Sequence, residues 1–300
     1  MRATAMAGVF TAALAAASGL SAGEYRITVA AAGQAPVALY AEETGDGPPL
    51  VLVHGLGAST FTWRRIAPEL ARTHRVIALD LKGFGRSDKP RDRHYGAADQ
   101  AALVAAFLRK RNLENVTLVG HSFGGTVALL TALRLKREPQ RIARLVIMDA
   151  PALWQNFGST AELVRAPALP EAAVLATPPE LMARILLRFV SAPGRKIPEA
   201  DIEGYAAPFR DVDARHAFIA TAQAILNDNA RRMGRSYGNI RQPTLLIWCR
   251  NDEIVPLRTG RQLAQRLPKA RLAVLRGCNH LPQDEAPTAL LKTLRPFLGR

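Results

Sequence analysis

Apolar residues along this chain follow two rhythms. Short runs rich in β-branched residues, at 25–29, 37–41, 50–53, 76–79, 116–119, 145–148, 244–248 and 272–275, read as buried strands. Longer stretches with apolar residues three and four apart, at 62–71, 98–111, 122–136, 258–266 and 288–297, read as helices. These helices separate the strands from the third onward. Such alternation predicts an α/β fold, with a mostly parallel sheet covered on both faces. Only "AAGQA" lies between the first two strands, so they are expected to form an antiparallel hairpin at the sheet edge.

The rhythm breaks between 152 and 240, where no comparable strand run occurs and the helices are amphipathic. Thr177 and Glu180 have the spacing of a capping box opening a helix. Leu181, Met182, Ile185, Leu186 and Phe189 would give that helix one apolar face, and similar spacing recurs from 214 to 226. The reading is one domain, with core segments 24–151 and 241–300 and a helical cap inserted at 152–240. The first 23 residues carry one arginine, an Ala-rich apolar stretch and then small residues. That pattern reads as a secretory signal, too short for a stable membrane span, with a disordered or dangling N-terminal segment as the alternative. It predicts a periplasmic or secreted protein if the segment is removed, and a cytoplasmic one otherwise.

Composition changes this picture little. The 300 residues include 40 Lys plus Arg against 25 Asp plus Glu, a net charge of +15. The basic runs fall on helix-patterned segments and read as solvated faces, and no nucleic-acid-binding motif accompanies them. Two cysteines, Cys249 and Cys278, exclude a disulfide-built scaffold and any CxxC metal site.

The candidate chemistry starts at "VTLVGHSFGG". A strand enters Gly120, a helix leaves after Ser122, and the glycines at 120 and 124 give room for a sharp turn between them. This is the G-x-S-x-G nucleophile elbow, which projects the serine Oγ from the end of the sheet. A serine needs a base and an orienting acid, in the chain order Ser, acid, His. Of six histidines, His54 and His121 read as structural, and His74, His94 and His216 as surface residues. His280 follows the last strand at the edge where parallel strands gather functional loops, and is the expected base. Asp252, beyond Trp248 in "LLIWCRNDEIVP", is the expected acid, with Asp149 its rival. Asp80 is expected to brace its own turn, and Glu253 and Glu285 to lie in solvent. The backbone N–H groups of Leu56, in "HGLG", and of Phe123 are expected to hold an oxyanion.

Together "LVLVHGLGAS", "ALDLKGFGRSDKP", "LVGHSFGG", "LLIWCRNDEIVP" and "CNHLPQDEAP" resemble the α/β-hydrolase superfamily, in its helical-cap branch. The resemblance implies an eight-stranded sheet with a cap after the sixth strand. It also implies a Ser122–His280–Asp252 triad and neither metal nor organic cofactor. Serine at the elbow departs from dehalogenase and epoxide-hydrolase relatives, which carry Asp there. In the family fold the strands ending near Cys249 and Cys278 lie side by side. Two buried, inert thiols are the expected state, with a bridge as the alternative in an exported protein.

The expected activity is hydrolysis of a small ester-type substrate through an acyl-enzyme. Lactone, thioester, amide, peracid or C–C chemistry on the same triad is the alternative, as is a silent ligand-binding scaffold. Trp63 from the core and Trp154, Phe157, Phe189, Tyr205 and Phe209 from the insertion are the candidates for an apolar substrate pocket.

Overall fold

Every apolar run of the strand type becomes a strand in the computed structural model, which describes residues 22–153, 171–227 and 234–299. The strands are β1 (Ala22–Val29), β2 (Val37–Thr44), β3 (Pro49–Val53), β4 (Arg75–Leu79), β5 (Val116–His121), β6 (Ile142–Met148), β7 (Thr244–Cys249) and β8 (Ala270–Leu275). They form one sheet in the order β1-β2-β4-β3-β5-β6-β7-β8. β1 and β2 make the expected antiparallel hairpin, β2 also runs antiparallel to β4, and the remaining neighbours are parallel.

The described α-helices longer than a single turn are α1 (Ala97–Lys110), α2 (Phe123–Arg134), α3 (Glu171–Ala176), α4 (Pro179–Val190), α5 (Glu199–Ala206), α6 (Val212–Asn227), α7 (Leu257–Arg266) and α8 (Pro287–Leu298). Side chains alternate across a strand, so the central strands feed two cores. Val51, Val53, Ile77 and Leu79 pack toward α1 and α2, while Leu50, Leu52, Val76 and Ala78 pack toward α8. Central strands buried on both faces explain why these runs are continuously apolar. None of the described helices is long and apolar enough to cross a membrane.

Three local expectations are corrected. The helix expected at 62–71 is two single turns, Thr60–Trp63 and Ala67–Leu70. Pro68 lacks the N–H that a continuous helix would need. Thr177 does not cap α4: its hydroxyl donates back to the Ala173 carbonyl at 2.7 Å, and Pro178 occupies the N-cap. The buried stripe of α4 is Met182, Ala183 and Leu187, whereas Leu181 and Ile185 stand 48% and 51% exposed.

The fourth correction concerns the cysteines, which are joined as Cys249–Cys278 with Cα atoms 5.4 Å apart. Side chains of adjacent parallel strands often diverge, but Cys278 is not in a strand. After β8 the chain turns through Gly277, at φ +78°, which returns Cys278 over the end of β7. The bridge closes a loop of sequence separation 29. The purified protein should show no free thiol in denaturant until reductant is added, and two afterwards. A Cys249→Ser/Cys278→Ser variant should lose about 3 kcal/mol in denaturant unfolding. Two thiols titrating without reductant, in protein matured under oxidising conditions, would contradict the bridge.

Candidate active site

β5 stays fully buried through His121, and α2 begins at Phe123. Ser122 sits between them at φ +51°, ψ −123°, a conformation that non-glycine residues rarely adopt. Close packing holds it there. A Cβ on Gly120 would come within 2.3 Å of the Gly124 carbonyl oxygen, and one on Gly124 equally near the His54 carbonyl oxygen. The Ser122 N–H donates to Met148 O at 2.8 Å, tying the turn to β6.

The structure brings Ser122, His280 and Asp252 into one hydrogen-bonded chain. Ser122 Oγ lies 2.9 Å from His280 Nε2, and His280 Nδ1 lies 2.8 Å from Asp252 Oδ2. Asp252 Oδ1 accepts the N–H groups of Ile254 and Val255, both at 2.8 Å. A carboxylate only accepts, so Nδ1 is the donor, and in the neutral imidazole Nε2 faces the serine with its lone pair. The Asp252 and His280 side chains are buried, while Ser122 is partly open to solvent.

The loop after β3 backs directly onto this chain. A Cβ on Gly55 would stand 3.1 Å from Ser122 Cβ. His54 braces the loop, its Nδ1–H donating to Gly55 O at 2.8 Å and its Nε2 accepting the Leu81 N–H at 3.0 Å. Burial pushes the His54 imidazole down to about 4, so it stays neutral. Asp80 accepts the N–H groups of Thr60 and Arg86, both at 2.7 Å, and so braces its own turn and the far end of this loop. Burial raises its carboxyl to about 7. Among the described residues, neither the Leu56 nor the Phe123 N–H has an acceptor. The latter opens a helix, where no preceding turn supplies one.

The expected pocket residues scatter. Trp63 points away from the site, 1% exposed in the core beneath the sheet beside Leu50, Leu52 and Ile66, because the turn carrying it packs under β3 and β4. Tyr205 is buried, and its hydroxyl is engaged by Thr62 at 2.7 Å and by Asp284, so it joins the insertion to the core. Phe189 lines a solvent-open cavity of about 370 Å³ with Ser191, Ile197, Glu253 and Ile254, on the acid-loop side. Phe209 does approach the loop after β3: its Cζ would stand 3.3 Å from a Cβ on Gly57. Phe218, absent from the expected set, lies nearer at 3.0 Å and packs edge-to-face on Phe209. Only the apolar spacing of α6 hinted at it. Trp154 and Phe157 lie outside the described residues. His74 is buried rather than at the surface, bonded to Thr73 Oγ1 at 2.8 Å.

Glu285 is the largest departure at the site. Its side chain is 1% exposed and accepts from three backbone N–H groups: Asn279 at 2.8 Å and Leu281 at 3.2 Å, which flank His280, and Ala192 at 2.6 Å, from the insertion. The His280 N–H donates to Val190 O at 3.1 Å, and Asn279 Nδ2 to Ser191 O at 3.2 Å. The histidine loop is thus built partly from the end of α4. Arg64 and Arg65 pair with Asp201 of α5 and with Asp284, anchoring the insertion a second time.

A strand order of this kind, with a hydrogen-bonded Ser–His–Asp chain at its carboxyl edge, defines a class. The model of the alpha/beta hydrolase family matches residues 50–293, and this chain belongs to that family as one of its enzymes. It is 32% identical to the 2-hydroxy-6-oxo-2,4-heptadienoate hydrolase of Pseudomonas putida over 269 residues, covering 86% of this chain and 91% of that one. Among solved structures, a membrane phospholipase A described as a bacterial virulence factor aligns at 28% identity and TM-score 0.75, over 97% of this chain and 93% of that one. A thermophilic esterase from Thermogutta terrifontis shares the fold at 24% identity and TM-score 0.75, over 91% and 98%.

Removing the Glu285 carboxylate frees both amides beside His280. Glu285→Ala is expected to lower kcat about 10- to 100-fold with KM changed less than about threefold, the scale of a misplaced reacting group. Steady-state kinetics beside a thermal melt checks this, and a fall confined to KM would contradict it.

Proposed function

We propose that this enzyme is a serine hydrolase that cleaves a carboxylic ester-type bond through an acyl-enzyme. The observation that carries the reading is the unbroken chain from Ser122 Oγ to His280 to Asp252, at 2.9 and 2.8 Å. His280 Nε2 takes the serine proton as Oγ adds to the acyl carbonyl. Asp252 fixes the imidazole tautomer and stabilises the imidazolium that forms. The Leu56 and Phe123 N–H groups receive the oxyanion. His280 then hands its proton to the departing alcohol, and a water deprotonated by the same nitrogen releases the acid and restores Ser122.

Phe209 and Phe218, packed against the loop that carries Leu56, support an apolar acyl group. A second reading rests on the likeness to the heptadienoate hydrolase, and on 31% identity over 274 residues to a 2-hydroxymuconate semialdehyde hydrolase of a Pseudomonas species. In that reading the same serine and histidine hydrolyse a carbon–carbon bond beside a ketone. We place the protein outside the cytoplasm, on the signal-like first 23 residues and on a disulfide, which persists in oxidising compartments. An uncleaved chain in the intact mass of the native protein would contradict that.

Ser122→Ala and Asp252→Asn should each lower kcat on p-nitrophenyl esters by about 10⁴-fold with folding intact. Retention of near-native turnover by Ser122→Ala would overturn the mechanism. Ester substrates of increasing acyl length, run beside a 2-hydroxy-6-oxo-dienoate, separate the two readings. The ester reading requires the higher kcat/KM on an ester.

A further inference from the structure

Asp149 follows directly on β6 in the left-handed backbone region, at φ +46°, where Asp and Asn are tolerated better than most residues. Its N–H donates to Ile247 O at 3.1 Å, and its side chain reaches across to β7. There Oδ1 accepts the N–H of Cys249 at 2.9 Å. The residue is fully buried. Oδ2 is buried as well and, among the described residues, meets no nitrogen or hydroxyl donor.

What Asp149 does meet is a second carboxyl. Asp252 leaves the same cysteine, its N–H donating to Cys249 O at 3.3 Å, and its side chain lies within hydrogen-bonding reach of Asp149. Two carboxylates cannot both carry charge in contact in a dry site, so one of them holds a proton. Asp252 is the better supported anion. It receives two backbone N–H groups and faces His280, whereas Asp149 has the single Cys249 N–H. The surrounding groups agree. Glu285, after β8, adds a second negative charge, and His121, paired in register with Met148 of β6, is kept neutral by burial, its imidazole pushed down to about 3. Burial first, and then the charge of Asp252, holds the Asp149 carboxyl well above the usual carboxylate range.

We propose that Asp149 is a positioning residue for the hydrolytic chain: a carboxylic acid whose O–H donates to the Asp252 carboxylate while its other oxygen is anchored on the bridged Cys249. The inference rests on the roles given above to Ser122, His280 and Asp252. The O–H bond fixes the Asp252 carboxylate and draws off part of its charge. A less concentrated charge stabilises the imidazolium less, so the base remains free to work at lower pH.

The test is the pH dependence of kcat/KM on a neutral ester for wild type, Asp149→Asn and Asp149→Ala. Asn suits the left-handed backbone, accepts from Cys249 and donates to Asp252 without charge. Asp149→Asn should therefore keep the acid limb within about 0.3 pH unit of wild type. Asp149→Ala, which cannot donate, should raise it by about one unit, a roughly tenfold loss of kcat/KM below the limb. An ionised Asp149 predicts instead that Asn removes a negative charge and lowers the limb by about one unit. That result overturns the proposal, as does an Ala variant whose limb coincides with wild type. An infrared difference spectrum of wild type against Asp149→Asn, near pH 8 where an ordinary Asp is ionised, reads the proton without turnover. A carboxylic-acid carbonyl band lost in the variant supports the proposal, and a carboxylate band in its place overturns it. Activity retained by Ser122→Ala would remove the hydrolytic roles and leave the infrared result standing, so the two failures are distinguishable.

Discussion

One backbone residue held in a rarely populated conformation organises the carboxyl edge of this sheet. Ser122, at φ +51°, costs of order 1–3 kcal/mol by itself and persists because its surroundings allow nothing else. Three features hold it: the glycines at 120 and 124, whose missing Cβ atoms leave room for backbone, the hydrogen bond to Met148 O, and the loop after β3 packed on its Cβ. The return is geometric. The Oγ projects beside a helix N-terminus, at the edge where β7 and β8 deliver Asp252 and His280.

Around that serine the structure divides the work between rigid and shared supports. His54 and Asp80, both buried, lock the loop that presents Leu56. The bridge Cys249–Cys278 ties the end of β7 to the turn after β8, and thereby the loop of the acid to the loop of the base. The histidine loop is not held by the core alone, since Val190, Ser191 and Ala192 of the insertion bond to His280, Asn279 and Glu285. A displacement of α4 therefore reaches the base directly. The segment between β6 and β7 therefore helps to position His280.

How much of this was legible in the sequence depended on the range of the interaction involved. Strand period, turn residues and the elbow glycines are local signals, and all eight strands follow from them. That Ser122, Asp252 and His280 come together could be expected because parallel strands collect loops at one edge, which turns chain order into spatial order. The failures at and around the site are mostly long-range. Which stripe of α4 is buried depends on Phe209 and Tyr205, which no window around Leu181 contains. Glu285 looks solvated until the chain is seen to double back on Asn279 and Ala192. Trp63 reads as a pocket residue until Pro68 breaks its helix and the turn packs beneath the sheet. The cysteine pair needed the turn at Gly277, whose geometry the strand pattern does not reveal.

The central claim is that Ser122 carries the acyl group between two half-reactions. Rapid mixing with a p-nitrophenyl ester, followed by acid quench and peptide mass analysis, tests it most directly. A burst of p-nitrophenol approaching one equivalent per enzyme is predicted, with the acyl mass on the peptide containing Ser122 and absent from it in Ser122→Ala. Turnover with no burst and no acyl mass on that peptide, under conditions where deacylation is slowed, would contradict the account.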